Sequence, residues 1–247
     1  MTLVRGMPHG HPGSEGGDVT EVASGTTGRL TPEQFHQASG VEDWRVVGEG
    51  ACACFRTGSF PVGARLVQAI SELSDLDAHH PDVDVRHDAV TVRLVTITPD
   101  HYGLTGRDVE LARRISAAAR DLGIPADPSA VQTVQVTVDA LVRPDVLPFW
   151  RALLDYTDRP DSTEDLIDPR GRGPMLWFQT MDAPRPQRNR MHIDVWVPYD
   201  RAEARIAAAL AAGGRLVSDA AAPSFWVLAD AEGNEACVGT AGWIAPS

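Results

Sequence analysis

The spacing of apolar residues changes period several times along the chain. Leu66, Val67, Ile70, Leu73 and Leu76 recur at three and four residues, which predicts an amphipathic helix over 62–76. Val90, Val92, Leu94 and Thr96 alternate with Thr91, Arg93 and Val95, the signature of a strand with one buried face, and 83–85 is expected to pair with it. Upstream, 44–47 and 51–55 flank Gly48-Glu49-Gly50 as a hairpin. Thr31-Pro32-Glu33-Gln34 and Thr105-Gly106-Arg107-Asp108 both read as capped helix starts. The first of these helices runs to about Ser39, and the second buries Val109, Ala112, Ile115 and Ala119. The expected first half is thus an antiparallel sheet with helices on one face.

Ile124-Pro125-Ala126-Asp127-Pro128-Ser129 reads as a two-proline connector, and the pattern changes beyond it. A strand is expected at 131–138, a helix at 144–154, an acidic loop at 158–168 and strands at 175–180 and 191–197. An alanine-rich helix at 201–212 ends at Gly213-Gly214, and strands follow at 215–217, 224–228 and 235–238. Strand–helix–strands occurs twice, which predicts two similar small modules side by side. The fold class is therefore α+β. The expected division is a glycine-rich tail over 1–28, a first domain over 29–123, a linker over 124–130 and a second domain over 131–244.

Composition narrows the chemistry. With 22 basic and 34 acidic residues the net charge is −12, which argues against non-specific nucleic-acid binding. No apolar run approaches the roughly 20 residues of a membrane span. No secretory signal is visible, so a cytoplasmic location is expected. All basic residues are arginine, so Schiff-base and phosphate-loop lysine chemistry is excluded. Cys52, Cys54 and Cys237 are odd in number and read as free thiols. His9 and His11 fall in the tail and read as solvated residues.

The densest chemistry is Asp75-Leu-Asp-Ala-His79-His80-Pro81-Asp82-Val83. Pro81 disfavours helical geometry at His80, so the helix is expected to stop there with both imidazoles at its end and Asp75 one turn behind His79. Two imidazoles exchange protons near neutral pH; a surface pair capping a helix C-terminus is the competing reading. Asp75-x3-His79-His80-Pro81, then 90–96, Gly103-Leu104-Thr105 and Asp108-Val-Glu-Leu-Ala112 together resemble pterin-4a-carbinolamine dehydratase over roughly 29–122. That resemblance implies a small, usually oligomeric α+β fold. It also implies dehydration of 4a-hydroxytetrahydropterin to the quinonoid dihydropterin by a general acid and a base, with no metal. By the same resemblance His79, His80 and Asp75 are catalytic candidates and Asp108 a substrate-binding one. The family's third histidine, directly after the strand threonine, is replaced by Ile97, and an aromatic position is His87. Thr98-Pro99-Asp100-His101-Tyr102 is expected as a lengthened loop, from which His101 is the candidate replacement.

Phe149-Trp150-x3-Leu154, Leu176-Trp-Phe-Gln179, Asn189-Arg190-Met-His192-Ile-Asp194-Val and Asp230-Ala-Glu-Gly233-Asn234-Glu235 resemble the glyoxalase-like branch of the vicinal oxygen chelate superfamily. Its metal-using members take one ligand from each of four strand positions, here about Gln132, Gln179, His192 and Cys237. Two amides, an imidazole and a thiol are a poor set for a hard or borderline cation, so no metal, zinc, iron and manganese included, and no cofactor is expected. Gln132, Gln179 and His192 are instead expected to contact a ligand. Arg170, Arg172, Arg185, Arg188 and Arg190 are the basic residues able to attract an anion to this face, with a solvated loop as the alternative. The expected function is hydro-lyase activity on a pterin-like small molecule, weakened by Ile97, in a homo-oligomer with no nucleic-acid or membrane partner. The alternative is a pterin- or small-molecule-binding regulatory protein without catalysis.

Overall fold

The computed structural model describes residues 28–73, 76, 79–183, 192–197 and 201–239. The tail histidines, Asp75 and the three arginines Arg185, Arg188 and Arg190 lie outside the described residues.

The first half opens with β1 (Arg29–Leu30) and α1 (Pro32–Gln37). Thr31 caps α1 through a reciprocal pair with Gln34: each backbone N–H donates to the other side chain, at 2.8 and 3.2 Å. Next come β2 (Arg45–Val47), β3 (Gly50–Arg56), α2 (Phe60–Ser71), β4 (Asp82–Val85) and β5 (Ala89–Leu94). The expected sheet forms in the order β2-β3-β5-β4, antiparallel throughout. A hairpin follows, β6 (Thr96–Thr98) and β7 (His101–Thr105), and leads into α3 (Gly106–Asp121).

Two expectations are corrected here. The helix expected over 62–76 ends at Ser71, so His79 and His80 lie in the chain that leads to β4 rather than at a helix end. Leu73 and Leu76 keep the apolar period because they pack on the same core from outside the helix. The segment expected as a lengthened loop is instead the hairpin β6–β7, and β1 adds to its other edge to make a three-stranded sheet, β1-β7-β6.

Ala51, Ala53 and Phe55 of β3 and Val90, Val92 and Leu94 of β5 point to one face and bury against Leu66 and Ile70 of α2 and Ala112 and Ile115 of α3. Trp44 is fully buried among them and donates its indole N–H to Ser116 Oγ at 3.0 Å. The two-proline connector is tied to this core: Arg56 N–H donates to Pro125 O and Asp127 N–H to Cys54 O.

The second half contains β8 (Gln135–Ala140), α4 (Arg143–Leu154), β9 (Thr157–Asp158), β10 (Asp165–Ile167) and β11 (Met175–Thr180). The same sequence then repeats as β12 (Ile193–Trp196), α5 (Ala202–Ala211), β13 (Arg215–Ser218), β14 (Phe225–Ala229) and β15 (Glu235–Gly239). The strand orders are β8-β11-β10-β9 and β12-β15-β14-β13, each with its first and last strands paired in parallel. The expected pair of βαβββ modules is therefore present, and the acidic loop expected over 158–168 contributes two short strands. Both modules share one apolar core, which includes Phe149, Trp150, Leu176, Phe178, Leu228 and Val238.

Gly213 and Gly214 end α5 for different reasons. Gly213 adopts φ +95°, which disfavours any side chain. A Cβ on Gly214 would sit 2.3 Å from Phe149 Cδ2 and 2.8 Å from Ala209 O. Gly214→Ala is accordingly expected to cost about 1–3 kcal/mol by overpacking; an unchanged denaturation midpoint would contradict this packing.

Candidate functional site

The site begins at the N-terminus of α3. Thr105 is the N-cap, and Asp108, three residues on, accepts the Thr105 backbone N–H at 2.8 Å on Oδ2. This is the expected capping pair, but its carboxylate does more than cap. Oδ2 also accepts the hydroxyls of Thr96, at 2.7 Å, and Thr105, at 3.0 Å. Oδ1 lies 3.0 Å from His79 Nε2. Asp108 is fully buried. Burial pushes its carboxyl pKa up, but the hydrogen bonds from His79, Thr96 and the Thr105 backbone, with the charge of His79, outweigh it and hold the pKa below the usual carboxylate value. The carboxylate is thus ionised at neutral pH and fixes the imidazole beside it. The His79 side chain is only 11% exposed, whereas His80 is exposed. The carboxylate bonded to His79 among the described residues is Asp108, twenty-nine positions later in the chain.

Register settles which face each hairpin residue uses. Thr96 pairs with Gly103, Ile97 with Tyr102 and Thr98 with His101. Strand alternation puts Thr96, His101, Gly103 and Thr105 on one face and Ile97 and Tyr102 on the other. Ile97 is therefore turned away from Asp108 and is 53% exposed. His101 shares the face of Thr96 and Thr105, and its ring lies over Gly103, where a Cβ would be 3.1 Å from His101 Cε1. Its Nε2 is buried and has no hydrogen-bond partner among the described residues. His101 also lines a cavity of about 310 Å3 with Arg29, Thr31, Tyr102 and Arg159.

Tyr102 marks the junction of the two cores. Its ring has two guanidinium groups within cation–π distance, Arg93 of the first half (5.9 Å) and Arg159 of the second (5.7 Å), and its hydroxyl accepts from Arg93 Nη2 at 3.0 Å. Arg159 donates to Glu49 at 3.1 Å and to Asp161 at 2.6 Å, and the Tyr102 backbone N–H donates to Asp161 at 3.3 Å. A second cavity of about 480 Å3 opens beside this junction and is lined by Arg93, Tyr102, Gln132, Gln135 and Arg172. Neither cavity includes His79 or His80.

In the second half, β8 starts at Gln135, so Gln132 lies in irregular chain rather than in the strand expected over 131–138. Gln179 sits on β11 opposite Asp139. Arg170 is held by Asp155 and Asp168, at 2.9 Å each. On the parallel pair β12–β15, Asp194 stands opposite Cys237. His192, immediately before β12, reaches Asp194 at 3.3 Å. The ligating atoms of His192, Asp194 and Cys237 lie within 4.8 Å of one another. Asp194 is the residue that sequence reasoning missed, because only the strand register places it against Cys237.

Two separate stretches of the chain match known families. Residues 28–118 match the family described as Pterin 4 alpha carbinolamine dehydratase, and residues 135–239 match the Glyoxalase-like domain. A protein of Nocardia farcinica named "Putative pterin-4-alpha-carbinolamine dehydratase" is 38% identical over 96 residues, covering 38% of this chain and 99% of the relative. Two solved structures are also similar. One is a transcriptional coactivator/pterin dehydratase from Brucella melitensis, 24% identical over 37% of this chain and 99% of its own, with a TM-score of 0.33. The other is a glyoxalase-related enzyme from Fulvimarina pelagi, 17% identical over 44% and 88%, with a TM-score of 0.37. Among the described residues no helix is long and apolar enough to cross a membrane. Through its first half the chain belongs to the pterin-4a-carbinolamine dehydratase family, and residues 135–239 match the glyoxalase-like domain.

Proposed function

We propose that the chain dehydrates 4a-hydroxytetrahydropterins, with the chemistry centred on His79. The observation that carries this reading is the buried Asp108 carboxylate 3.0 Å from His79 Nε2. A carboxylate in that position accepts the Nε2 proton, leaves Nδ1 as the basic ring nitrogen and stabilises the imidazolium once Nδ1 is protonated. In the proposed reaction one imidazole takes the proton from the ring nitrogen beside the 4a carbon. A second gives a proton to the 4a hydroxyl, which leaves as water. His80, exposed and adjacent, is assigned the second task, and the protein's net protonation is unchanged over the cycle.

A pterin-binding protein without catalysis is the second reading, favoured by Ile97 facing away from the Asp108 centre. Stopped-flow dehydration of 4a-hydroxytetrahydropterin separates the two. Dehydratase function predicts a rate above that of buffer, with His80→Ala slowing it more than His101→Ala, whose effect stays below about tenfold. A rate equal to that of buffer, with saturable binding of a tetrahydropterin analogue, would establish the binding reading instead.

A further inference from the structure

We propose that the cleft between the two halves binds a small monocarboxylate with an apolar body, held by Arg172 and Tyr102 against Val47, Val134, Ile167 and Met175. The site is separate from the dehydratase centre and does not depend on that reading.

The cleft encloses about 480 Å3, enough for a compact organic ligand, and both halves supply its walls. Val47 and Tyr102 come from the first half, and Ile167, Arg172 and Met175 from the second. Thr133 and Val134 complete it from the stretch between the two family-matched ranges, 28–118 and 135–239. A chain with either half alone lacks one wall. Gln179, His192 and Cys237, on the strands of the second half, are not among the lining residues. Val134 is 60% exposed, a large apolar side chain that folding leaves uncovered where it lines this cavity.

The charges around the cleft select the polar group it takes. Glu49 accepts from Arg159 at 3.1 Å, and Arg93 donates to Asp82 at 3.2 Å. Asp168 accepts the backbone N–H groups of Arg170, Arg172 and Gly173 and the Arg170 Nε, at 2.8–3.0 Å. Each of these charges is matched. Among the described residues the Arg172 guanidinium has no ion-pair partner. Tyr102 Oη accepts from Arg93 Nη2 at 3.0 Å, and its own proton has no acceptor among the described residues. One cation and one hydroxyl donor suit a single carboxylate. A phosphate dianion would need a second unmatched cation, which the described lining does not supply.

Arg172 is also held in place. The Asp168 side chain is 5% exposed and ties down the loop 168–173, in which Gly171 takes φ +64°. The guanidinium therefore starts from a fixed backbone, which lowers the ordering cost of binding.

The test is isothermal titration calorimetry of the full-length protein with naphthoate as the probe. Naphthylmethanol, which lacks the charge, and acetate, which lacks the apolar body, are run beside it. The expected result is one-to-one, saturable binding of naphthoate, with both analogues weaker by about tenfold or more. Arg172→Gln, at an exposed position, should bring naphthoate down to the affinity of naphthylmethanol. Val134→Asp, also exposed, should weaken both by placing a carboxylate against the apolar body. No saturation by about 1 mM, equal affinity for naphthylmethanol, or naphthoate binding that survives Arg172→Gln overturns the site. Loss of naphthoate binding in His80→Ala or His192→Ala would place the probe within one half and overturn it as well.

Discussion

Asp108→Asn is expected to lower the thermal midpoint by roughly 6–12 °C and to slow dehydration by about 10²-fold or more. The carboxylate is fully buried and accepts from Thr96, the hydroxyl and backbone N–H of Thr105, and His79. An amide of the same shape turns two N–H donors into a site built from donors, so a cost of about 3 kcal/mol follows. His79 then loses the charge that stabilises its protonated form, and His79→Ala should be comparably slow. The stability difference between wild type and Asp108→Asn has a defined pH dependence. The Asp108 pKa is lowered in the folded protein from its ordinary 3.8. Its contribution is therefore complete above that ordinary value and is lost as pH falls through the lowered, folded one. Melting curves of both proteins across the acid range check this; a gap that stays constant down to strong acid would show that the carboxylate is not the stabilising group.

Asp230→Ala is expected to destabilise the second core by about 3–5 kcal/mol. Asp230 is completely buried and takes four donors: Trp150 Nε1 at 3.0 Å, Asn234 Nδ2 at 2.8 Å, and the backbone N–H groups of Glu232 at 3.0 Å and Asn234 at 2.8 Å. Removing it orphans an indole N–H from α4 together with the turn between β14 and β15. That turn also carries Glu232, whose carboxylate accepts the Leu141 and Val142 backbone N–H groups at the start of α4. The change therefore acts where one βαβββ module grips the other. Denaturation followed by near-ultraviolet tryptophan signals should show the loss, and Asp230→Asn should recover part of it. A midpoint equal to that of wild type would mean that Trp150 is held by packing alone.

Periodicity exposed most of this architecture because the long elements are amphipathic. It failed where an element is short or where tertiary packing borrows its residues. The strands β9 and β10 have two and three residues in an acidic stretch, too few for an alternation to register. Leu73 and Leu76 satisfied a helical period while packing from a non-helical segment. In the candidate site, the adjacent His79 and His80 and the Thr105–Asp108 capping pair were legible as local motifs. The bond between His79 and Asp108 was not, since it spans twenty-nine positions and depends on how the chain before β4 passes the start of α3. Asp194 and Cys237 are further apart still in sequence, and only a parallel strand pairing makes them neighbours.

The contact around Tyr102 has a consequence for how the two halves respond to solution conditions. It joins them through guanidinium, carboxylate and aromatic groups, while each half keeps a separate apolar interior. Added electrolyte screens the Arg159 pairs, with Asp161 partly sheltered from it, yet strengthens apolar burial when the salt is a sulfate or phosphate. The seam should thus soften under conditions in which both interiors harden, making ionic strength a control on inter-half mobility that is separable from unfolding.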